Sequence, residues 1–573
     1  MQRLKIYQKR KAFVLLCVSI LILTCLVIRV VFLVIYGTRF DELALQAEQR
    51  ERRVKAARGI IYDRNGVVLA DNIPVCTVSV IHSQITDEEE VISTISEILE
   101  LDEETVRTRV TKNSSIEIIK TNVSLELGEE IKAADLDGVK VDTDYRRYYP
   151  YPEIMSRLLG FTGSDNQGVV GLETTYDEIL QGEDGAILTF TDATGVELAD
   201  AEETRDLPVD GDNLYLTIDY NVQKYINNVA YNTLSSTGGK SVSILVMNPQ
   251  NGEIYGMTTV PEYNNQTPFV LYDGTTGTDM DVLNEMWRNP LVSDTYEPGS
   301  SFKVVTATTA LSEGVCSLSD GFYCSGCKIV ADRRIHCHEL DGHGSVSFAD
   351  ALAKSCNVAL MDIGQRVGTE MMYNYFDKLG LLERTGIDLP GEANSIMHNI
   401  ENVKEVELAT MSFGQSFQIT PLQLVRAVSC AINGGTLVTP HVGMAYSDSE
   451  TTEVTTLTFP TESGVISSEV SETMRDLLLN VVDNGTGNKA AVEGYLIGGK
   501  TATSEKLPRS ENKYIASFVG FAPADDPQVL VFVMIDEPQG LYYGGTIAAP
   551  VAAEVFENIL PYMGIEKTRE QTD

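Results

Sequence analysis

The chain of 573 residues is strongly acidic, with 82 Asp and Glu residues against 44 Lys and Arg residues and a formal net charge of −38. This charge argues strongly against a nucleic-acid-binding role, which needs a basic surface to neutralise phosphates. The length predicts roughly three to four folded units of about 150 residues each.

The N-terminus has the pattern of a membrane anchor. Residues 1–11 contain five basic residues and no acidic one, and residues 12–36 are predominantly apolar, with Arg29 as their only charge. A helix of about 25 residues spans about 37 Å, enough to cross a hydrocarbon core of about 30 Å. The positive-inside rule places residues 1–11 in the cytoplasm and the chain from residue 37 outside it. A cleaved signal peptide is the alternative, although its apolar core would be shorter.

The front third of the extracytoplasmic chain lacks the residues of a catalytic site. Residues 37–57 are polar and helix-prone and are interpreted as a stalk. Residues 58–218 have strand-rich ends around a helical stretch at 85–137, and Asn65-Gly66 is a hairpin turn signal. Because no cluster of nucleophile, base and metal-ligand types occurs there, this part is interpreted as a binding or spacing domain.

Residues 219–562 have the pattern of an α/β domain, followed by a polar tail at 563–573. The predicted elements in chain order are a helix, two strands, a long helical block, two more strands and a final helix (219–234, 242–247, 254–259, about 300–430, 515–521, 529–535 and 549–560). This order predicts a sheet assembled from both ends of the domain, with the helices packed against it.

Ser300 and Lys303 open the helix predicted at 304–311. Residues three apart share a helix face, so the Ser300 hydroxyl is expected beside the Lys303 amine. A desolvated amine that has lost its proton can deprotonate the hydroxyl and create a nucleophile. The spacing alone is weak evidence, because it recurs twice in the chain (Ser325/Lys328 and Ser510/Lys513).

Two later stretches can join Ser300. Ser355 and Asn357 place a hydroxyl and an amide two residues apart at a predicted helix boundary, and Lys500-Thr501-Ala502-Thr503 reads as a strand with both threonines on one face. The order S-x-x-K, S-x-N, K-T-x-T within one domain resembles the penicillin-binding proteins and serine β-lactamases. The likeness to class B penicillin-binding proteins covers nearly all of residues 12–562 through further stretches (58–66, 171–173, 248–253, 297–303, 414–423, 519–523 and 544–550).

The resemblance implies a fold and a division of the chain. The fold class is α/β, with a penicillin-binding/serine β-lactamase-like transpeptidase domain, an antiparallel sheet with a helical block, at 219–562. An elongated α+β pedestal, or dimerisation, domain at 58–218 and one N-terminal transmembrane helix at 12–36 precede it.

The resemblance also implies a peptidoglycan D,D-transpeptidase of septal or sporulation cell-wall synthesis, acting through an acyl-enzyme and also acylated by penicillin. By this resemblance, Ser300 would be the nucleophile and Lys303 its general base. Ser355 would relay protons, and Asn357 would bind the peptide of the substrate. Lys500 would supply positive charge, and Thr501 and Thr503 would bind the terminal carboxylate. Backbone N–H groups of Ser300 and Thr503 would form the oxyanion hole. No cofactor or metal is expected. The implied partners are stem peptides, β-lactams, a SEDS-family polytopic glycosyltransferase and other division or sporulation proteins.

Ala502 departs from the family pattern, which usually has Gly at that position. Its methyl group is expected to crowd the acyl group, or to be accommodated by a small displacement of the strand. An inert scaffold of the same fold is therefore kept as an alternative. A β-lactam hydrolase or sensor is a further alternative, although such proteins do not need the large front domain.

Cysteines and histidines cluster between residues 316 and 343. Zinc is one interpretation and a single disulfide is the other, with Cys324–Cys337 preferred for an extracytoplasmic domain. The histidines are otherwise interpreted as structural. The residues concerned are Cys316, Cys324, Cys327, Cys337, His336, His338 and His343.

Overall fold

The structure is a computed structural model that describes residues 2–112, 114, 116–190, 204–451 and 453–568. The last part of the predicted tail, 569–573, and residues 191–203 of the predicted strand-rich stretch therefore lie outside the described residues.

The chain forms two compact units that interleave along the sequence. The first consists of Met1–Ala57, Ile73–Arg146 and Glu183–Val209, and the second of Arg58–Asn72, Arg147–Gly182 and Asp210–Asp573. Parts of the front segment thus belong to the same compact unit as the predicted transpeptidase domain. The boundary at 218/219 stays a prediction.

The first unit begins with the helix Gln2–Glu48. Among the described residues, one helix is long and apolar enough to cross a membrane; its candidate span is Gln8–Val34, with a mean hydropathy of 2.9. The helical prediction for the stalk is wrong beyond Glu48, because Gln49–Val54 is a strand paired antiparallel with Gly185–Phe190. Hydrogen bonds to a neighbouring strand outweigh the weak intrinsic helix preference of such a segment.

The helices predicted at 85–137 are present in the first unit. Each begins at a side chain that accepts a backbone N–H of the first turn, namely Asp87, Asp102 and Ser124. The helices and strands of this part are Glu88–Leu99, Glu103–Val110, Leu125–Ala133, Glu117–Val123, Val139–Tyr148 and Thr204–Asp206, with a 3₁₀ turn at His82–Gln84. Their apolar faces form a small separate core around Ile92, Ile95 and Val106.

The second unit is built on a five-stranded antiparallel sheet, called the central sheet below. Its strands in spatial order are Ile254–Val260, Ser241–Met247, Val529–Asp536, Tyr514–Ala522 and Gly498–Glu505. The last of these lies at an edge and is called the edge strand. The prediction of a sheet assembled from both ends of the domain is confirmed.

Helices cover both faces of the central sheet. Val531 and Val533 pack in one core with residues of the helices Tyr220–Thr237 and Gly544–Tyr562, whereas Leu530 and Phe532 pack in another core with the helical block. This alternation follows from the two-residue period of a strand. The helical block consists of Met280–Trp287, Pro290–Ser293, Lys303–Ser312, Phe348–Ala353, Asn357–Val367, Thr369–Lys378, Glu405–Met411, Pro421–Ile432 and Ser468–Asn484.

Short elements complete the second unit. Ile61–Tyr62 pairs antiparallel with the start of Val68–Val80 across the predicted Asn65-Gly66 turn, where Gly66 has φ of +85°. The other short strands are Phe161–Thr162, Gly168–Val170, Asn213–Leu216, Gly321–Cys324, Cys327–Val330, Arg333–His336, Gly344–Ser347, Leu437–Val438, Gly443–Ser447, Val454–Thr456 and Thr461–Glu462. The short helices are Ser156–Leu159, Gly171–Thr175 and Asp177–Leu180, with 3₁₀ turns at Gly299–Phe302, Ile400–Asn402, Asn488–Ala490 and Arg509–Glu511.

A buried ion cluster explains two of the family-like stretches, 58–66 and 171–173. Arg58 donates to Glu173 at 2.6 Å and to Asp177 at 2.7 Å, and Arg147 donates to the other carboxylate oxygen of Glu173 at 2.7 Å. Arg58 and Glu173 are buried, so each charge needs its partner. These stretches therefore have a structural role.

Candidate active site

Ser300 lies in a 3₁₀ turn, Gly299–Phe302, and not in the α-helix that begins at Lys303. The backbone N–H of Lys303 donates to the carbonyl of Ser300. Residues three apart are eclipsed in a 3₁₀ turn, so the pair still shares one face. Ser300 is half-buried and lines a cleft, whereas Lys303 is fully buried beneath it.

The loop that carries Ser300 is held from two sides. The buried carboxylate of Glu297 accepts the N–H of Ser416 at 2.9 Å and pairs with the guanidinium of Arg509 at 2.9 Å. A Cβ on Gly299 would lie 2.5 Å from the Ser504 hydroxyl of the edge strand, and φ at Gly299 is +57°. Only glycine allows this close approach. Glu297 and Arg509 were missed at the sequence level, because their pairing joins residues more than two hundred positions apart.

The amine of Lys303 contacts Ser355 and Asn357 of the Ser-x-Asn stretch. Its Nζ lies 2.6 Å from the carbonyl of Ser355, 3.0 Å from the Ser355 hydroxyl and 2.7 Å from Asn357 Oδ1. Burial lowers the pKa of Lys303 to about 8. A substantial fraction of this lysine is therefore neutral near neutral pH, as a general base requires.

Lys500 approaches the same hydroxyl from the edge strand. Its Nζ lies 3.1 Å from Ser355 Oγ and 3.0 Å from the carbonyl of Thr501. Burial and the nearby Lys303 charge lower the pKa of Lys500 well below its usual value. Ser355, held at φ of +54°, thus places one hydroxyl between two buried amines. Such an arrangement can pass a proton from one side of the cleft to the other.

Thr501 and Thr503 lie on one face of the edge strand, as predicted. The Thr501 hydroxyl is 3.0 Å from the hydroxyl of Thr486, and Thr503 Oγ1 accepts the N–H of Gly544 at 3.0 Å. Both hydroxyls border the same cleft as Ser300.

Ala502 is accommodated without a break in the edge strand. It is buried, 1% exposed, and pairs with Ser517 within an unshifted register that runs from Gly498 to Glu505. The strand pairing is therefore intact with alanine at this position. A close backbone approach does occur here, but the glycine that allows it is Gly544, where a Cβ would lie 2.1 Å from the carbonyl of Ala502.

The cleft has a volume of about 800 Å³ and brings the predicted residues together. Ser300, Ser355, Asn357, Thr501 and Thr503 line it, with Lys303 and Lys500 buried behind Ser355. Sequence reasoning missed several other lining residues, whose types carry no catalytic pattern. Among them are Phe413, Gln415, Thr486, Tyr514, Tyr542 and Tyr543.

The two other Ser-x-x-Lys pairs are surface features. Lys328 is ion-paired with Asp362, and Ser325 donates to a carbonyl in its own turn. The Lys513 side chain is 44% exposed and pairs with Glu511 and Glu537. Neither lysine is desolvated as Lys303 is.

The cysteine cluster differs from the expected disulfide. All nine cysteines are free thiols, so the expected Cys324–Cys337 disulfide is not formed. Instead, the ligand atoms of Cys324, Cys337, His343 and Cys356 all lie within 4.8 Å of one another. Cys356 was not grouped with the others from the sequence, because it belongs to the Ser-x-Asn stretch.

The sheet, its helical layers and this lysine-serine arrangement define a transpeptidase of the penicillin-interacting type. In agreement, residues 242–557 match the family described as the penicillin-binding protein transpeptidase domain, and residues 53–216 match the penicillin-binding protein dimerisation domain. The chain belongs to the penicillin-binding protein family.

The relatives are similar over almost the whole chain. Stage V sporulation protein D of Bacillus subtilis is 39% identical, over 94% of this chain and 83% of its own length. The peptidoglycan D,D-transpeptidase FtsI of Escherichia coli is 29% identical, over 97% of this chain and 92% of its own. The crystal structure of penicillin-binding protein 2X from Streptococcus thermophilus shares the fold, with a TM-score of 0.74 at 23% identity over 91% of this chain and 83% of that one.

Proposed function

We propose that the chain is a peptidoglycan D,D-transpeptidase that cross-links stem peptides through an acyl-enzyme on Ser300 and is also acylated by penicillin. The observation that carries the proposal is the Ser355 hydroxyl held 3.0 Å and 3.1 Å from the amines of Lys303 and Lys500, beside Ser300 in one cleft. The similarity to proteins named peptidoglycan D,D-transpeptidases supports the same conclusion.

In the acylation step, neutral Lys303 takes the proton of the Ser300 hydroxyl as the oxygen attacks the carbonyl between the two terminal D-Ala residues. The N–H groups of Ser300 and Thr503 stabilise the oxyanion, a device worth about 3–4 kcal/mol per donor. As the peptide bond breaks, Ser355 passes a proton from the Lys303 side to the leaving amine of D-Ala. An amine of a second stem then attacks the ester, loses a proton along the same path and restores the Ser300 hydroxyl.

The remaining residues bind the donor stem. The terminal carboxylate of the bound stem favours the protonated form of Lys500, which then supplies positive charge near Ser355 and that carboxylate. The hydroxyls of Thr501 and Thr503 hold the carboxylate. Asn357 binds the peptide of the substrate through its amide. Penicillin presents an amide and a carboxylate in a related arrangement, so the same residues bind it and its lactam carbonyl acylates Ser300. The nitrogen released by ring opening stays covalently attached to the acyl group.

We place this activity in septal or sporulation cell-wall synthesis, as the resemblance to class B penicillin-binding proteins implies. Sporulation is the process in the name of the Bacillus subtilis relative. The N-terminal apolar helix, predicted as an anchor at 12–36, crosses the membrane in a single pass, with residues 1–11 in the cytoplasm and the catalytic residues outside. Residues 58–218 act as the pedestal domain and 219–562 as the transpeptidase domain. A SEDS-family polytopic glycosyltransferase and other division or sporulation proteins are the proposed partners.

The activity is tested with the full-length chain in detergent, a donor stem pentapeptide and an acceptor amine. We expect release of D-Ala and formation of a cross-linked product by the native chain, and neither by Ser300→Ala. Ser325→Ala, in the surface Ser-x-x-Lys pair, is the matched control and should retain both. Absence of product from the native chain under conditions in which it binds penicillin would refute the transpeptidase assignment.

Two outcomes would support other activities. Full rescue of a deletion strain by Ser300→Ala would favour a scaffold that needs no chemistry. Sustained turnover of penicillin, in place of a long-lived acyl-enzyme, would favour a β-lactam hydrolase or sensor.

A further inference from the structure

Four sulfur and nitrogen ligands converge beside the catalytic cleft. Cys324 ends the strand Gly321–Cys324, Cys337 follows the strand Arg333–His336, and His343 precedes the strand Gly344–Ser347. Cys356 caps the helix Asn357–Val367, between the proposed relay serine and the substrate-binding amide. A strand end, one loop and a helix N-terminus of the second unit thus bring four ligands to the same point.

The spacing of these atoms is close to that of a tetrahedral metal site. Bond lengths of about 2.3 Å to sulfur and about 2.0–2.1 Å to nitrogen place S···S edges near 3.8 Å and S···N edges near 3.6 Å. Cys337 Sγ lies 3.6 Å from His343 Nδ1, and all four ligand atoms lie within 4.8 Å of one another. Small side-chain rotations would bring the longer separations to tetrahedral length.

The chemistry of the set also favours a metal over disulfides. Cys324, Cys337 and Cys356 are buried and His343 is half-buried, so the ligands are shielded from solvent. Three thiols cannot all pair with one another in disulfides, and one would remain unpaired. Three thiolates and one imidazole are a common ligand set of structural zinc. Four protein ligands leave no open position for a water, so such a site would be structural.

We infer that Cys324, Cys337, His343 and Cys356 bind a Zn²⁺ ion that fastens the segment 321–347 to the Ser-x-Asn stretch. Each coordinating cysteine loses its thiol proton, so binding releases protons and weakens at low pH. Because Cys356 is adjacent to both Ser355 and Asn357, the metal would hold these residues in register with Lys303. The inference concerns structure and does not depend on transpeptidase activity, since an inactive chain could bind the same ion.

The test measures the metal directly. The full-length chain is purified in detergent with a thiol-free phosphine reductant and without added chelator, and its zinc content is measured by inductively coupled plasma mass spectrometry. We expect about one zinc per chain. Exchange for Co²⁺ should produce thiolate-to-cobalt charge-transfer absorption and the visible bands of tetrahedral cobalt.

Ligand substitutions make the assignment specific. His343→Ala should weaken Co²⁺ binding and alter the visible bands, and Cys324→Ser should reduce the charge-transfer absorption per bound cobalt by about one third, one thiolate of three. Cys327→Ser and His336→Ala, in the same segment but outside the cluster, are the matched controls and should retain full binding. Circular dichroism confirms that each variant is folded.

Three results would overturn the inference. The first is a native chain that is folded but binds neither zinc nor cobalt. The second is metal binding that survives the ligand substitutions unchanged. The third is a chain purified without reductant in which peptide mapping finds two of the three clustered cysteines joined in a disulfide and no zinc. Penicillin labelling is scored separately, so loss of metal and loss of acylation are distinguishable.

Discussion

The reactivity of Ser300 is expected to follow the protonation of Lys303. With a pKa of about 8, about one tenth of this lysine is neutral at pH 7, compared with a few parts in ten thousand for an ordinary lysine. Burial therefore increases the basic fraction by roughly two to three orders of magnitude, or about 3 kcal/mol. We predict that the second-order rate constant of penicillin acylation rises about tenfold per pH unit below pH 7 and levels off above about pH 9.

The assay is the initial rate of labelling by a fluorescent penicillin, measured between pH 5.5 and 9.5 with the full-length chain in detergent. Lys303→Arg should abolish labelling across this range, since a guanidinium stays protonated. Lys328→Met, in the exposed pair, should leave the profile unchanged. A rate independent of pH from 6 to 9, or a rate that still rises tenfold per pH unit at pH 9.5, would refute the assignment of Lys303 as the base.

Three further predictions concern residues around the site and the core. Ala502→Gly should leave the rate of penicillin acylation within about threefold of the native rate. It should reduce the free energy of unfolding, measured with denaturant, by about 1–2 kcal/mol, since a buried methyl is lost and a glycine enters a strand. A large gain in acylation rate would show that the methyl obstructs the site. Glu297→Gln should slow acylation by roughly 10- to 150-fold, the scale of one lost charged hydrogen bond of about 1.5–3 kcal/mol, because Arg509 and the N–H of Ser416 lose their anionic partner. Acylation at the native rate would show that the Ser300 loop keeps its conformation without this carboxylate. Glu173→Gln should reduce unfolding stability by about 3–5 kcal/mol, since it leaves Arg58 poorly paired in the interior, while the folded fraction still binds penicillin; unchanged thermal stability would contradict the structural role of that ion cluster.

Much of the fold follows from local patterns in the sequence. The sequence predicts the bounds of the strands Tyr514–Ala522 and Val529–Asp536 to within one residue. A short apolar run between turn signals is typical of a buried strand. The strand Gln49–Val54 was not predicted, since its partner Gly185–Phe190 is more than a hundred residues away and its own sequence is polar.

The sequence likewise predicts the catalytic residues of the site but not the contacts that support them. The seven predicted site residues could be grouped from the sequence because their motifs occur in a fixed order within one domain, and the fold brings them together at one cleft. They are Ser300, Lys303, Ser355, Asn357, Lys500, Thr501 and Thr503. The contacts that support them could not be predicted, because they depend on tertiary approach. The ion pair of Glu297 with Arg509 and the convergence of Cys356 with the other cysteines are examples.

The most direct test of the proposed mechanism is the mass of the full-length chain after brief incubation with benzylpenicillin, followed by peptide mapping. We expect one covalent adduct per chain, located on Ser300, absent from Ser300→Ala and retained in Ser325→Ala. An unmodified native chain, or an adduct that persists in Ser300→Ala on another residue, would contradict it.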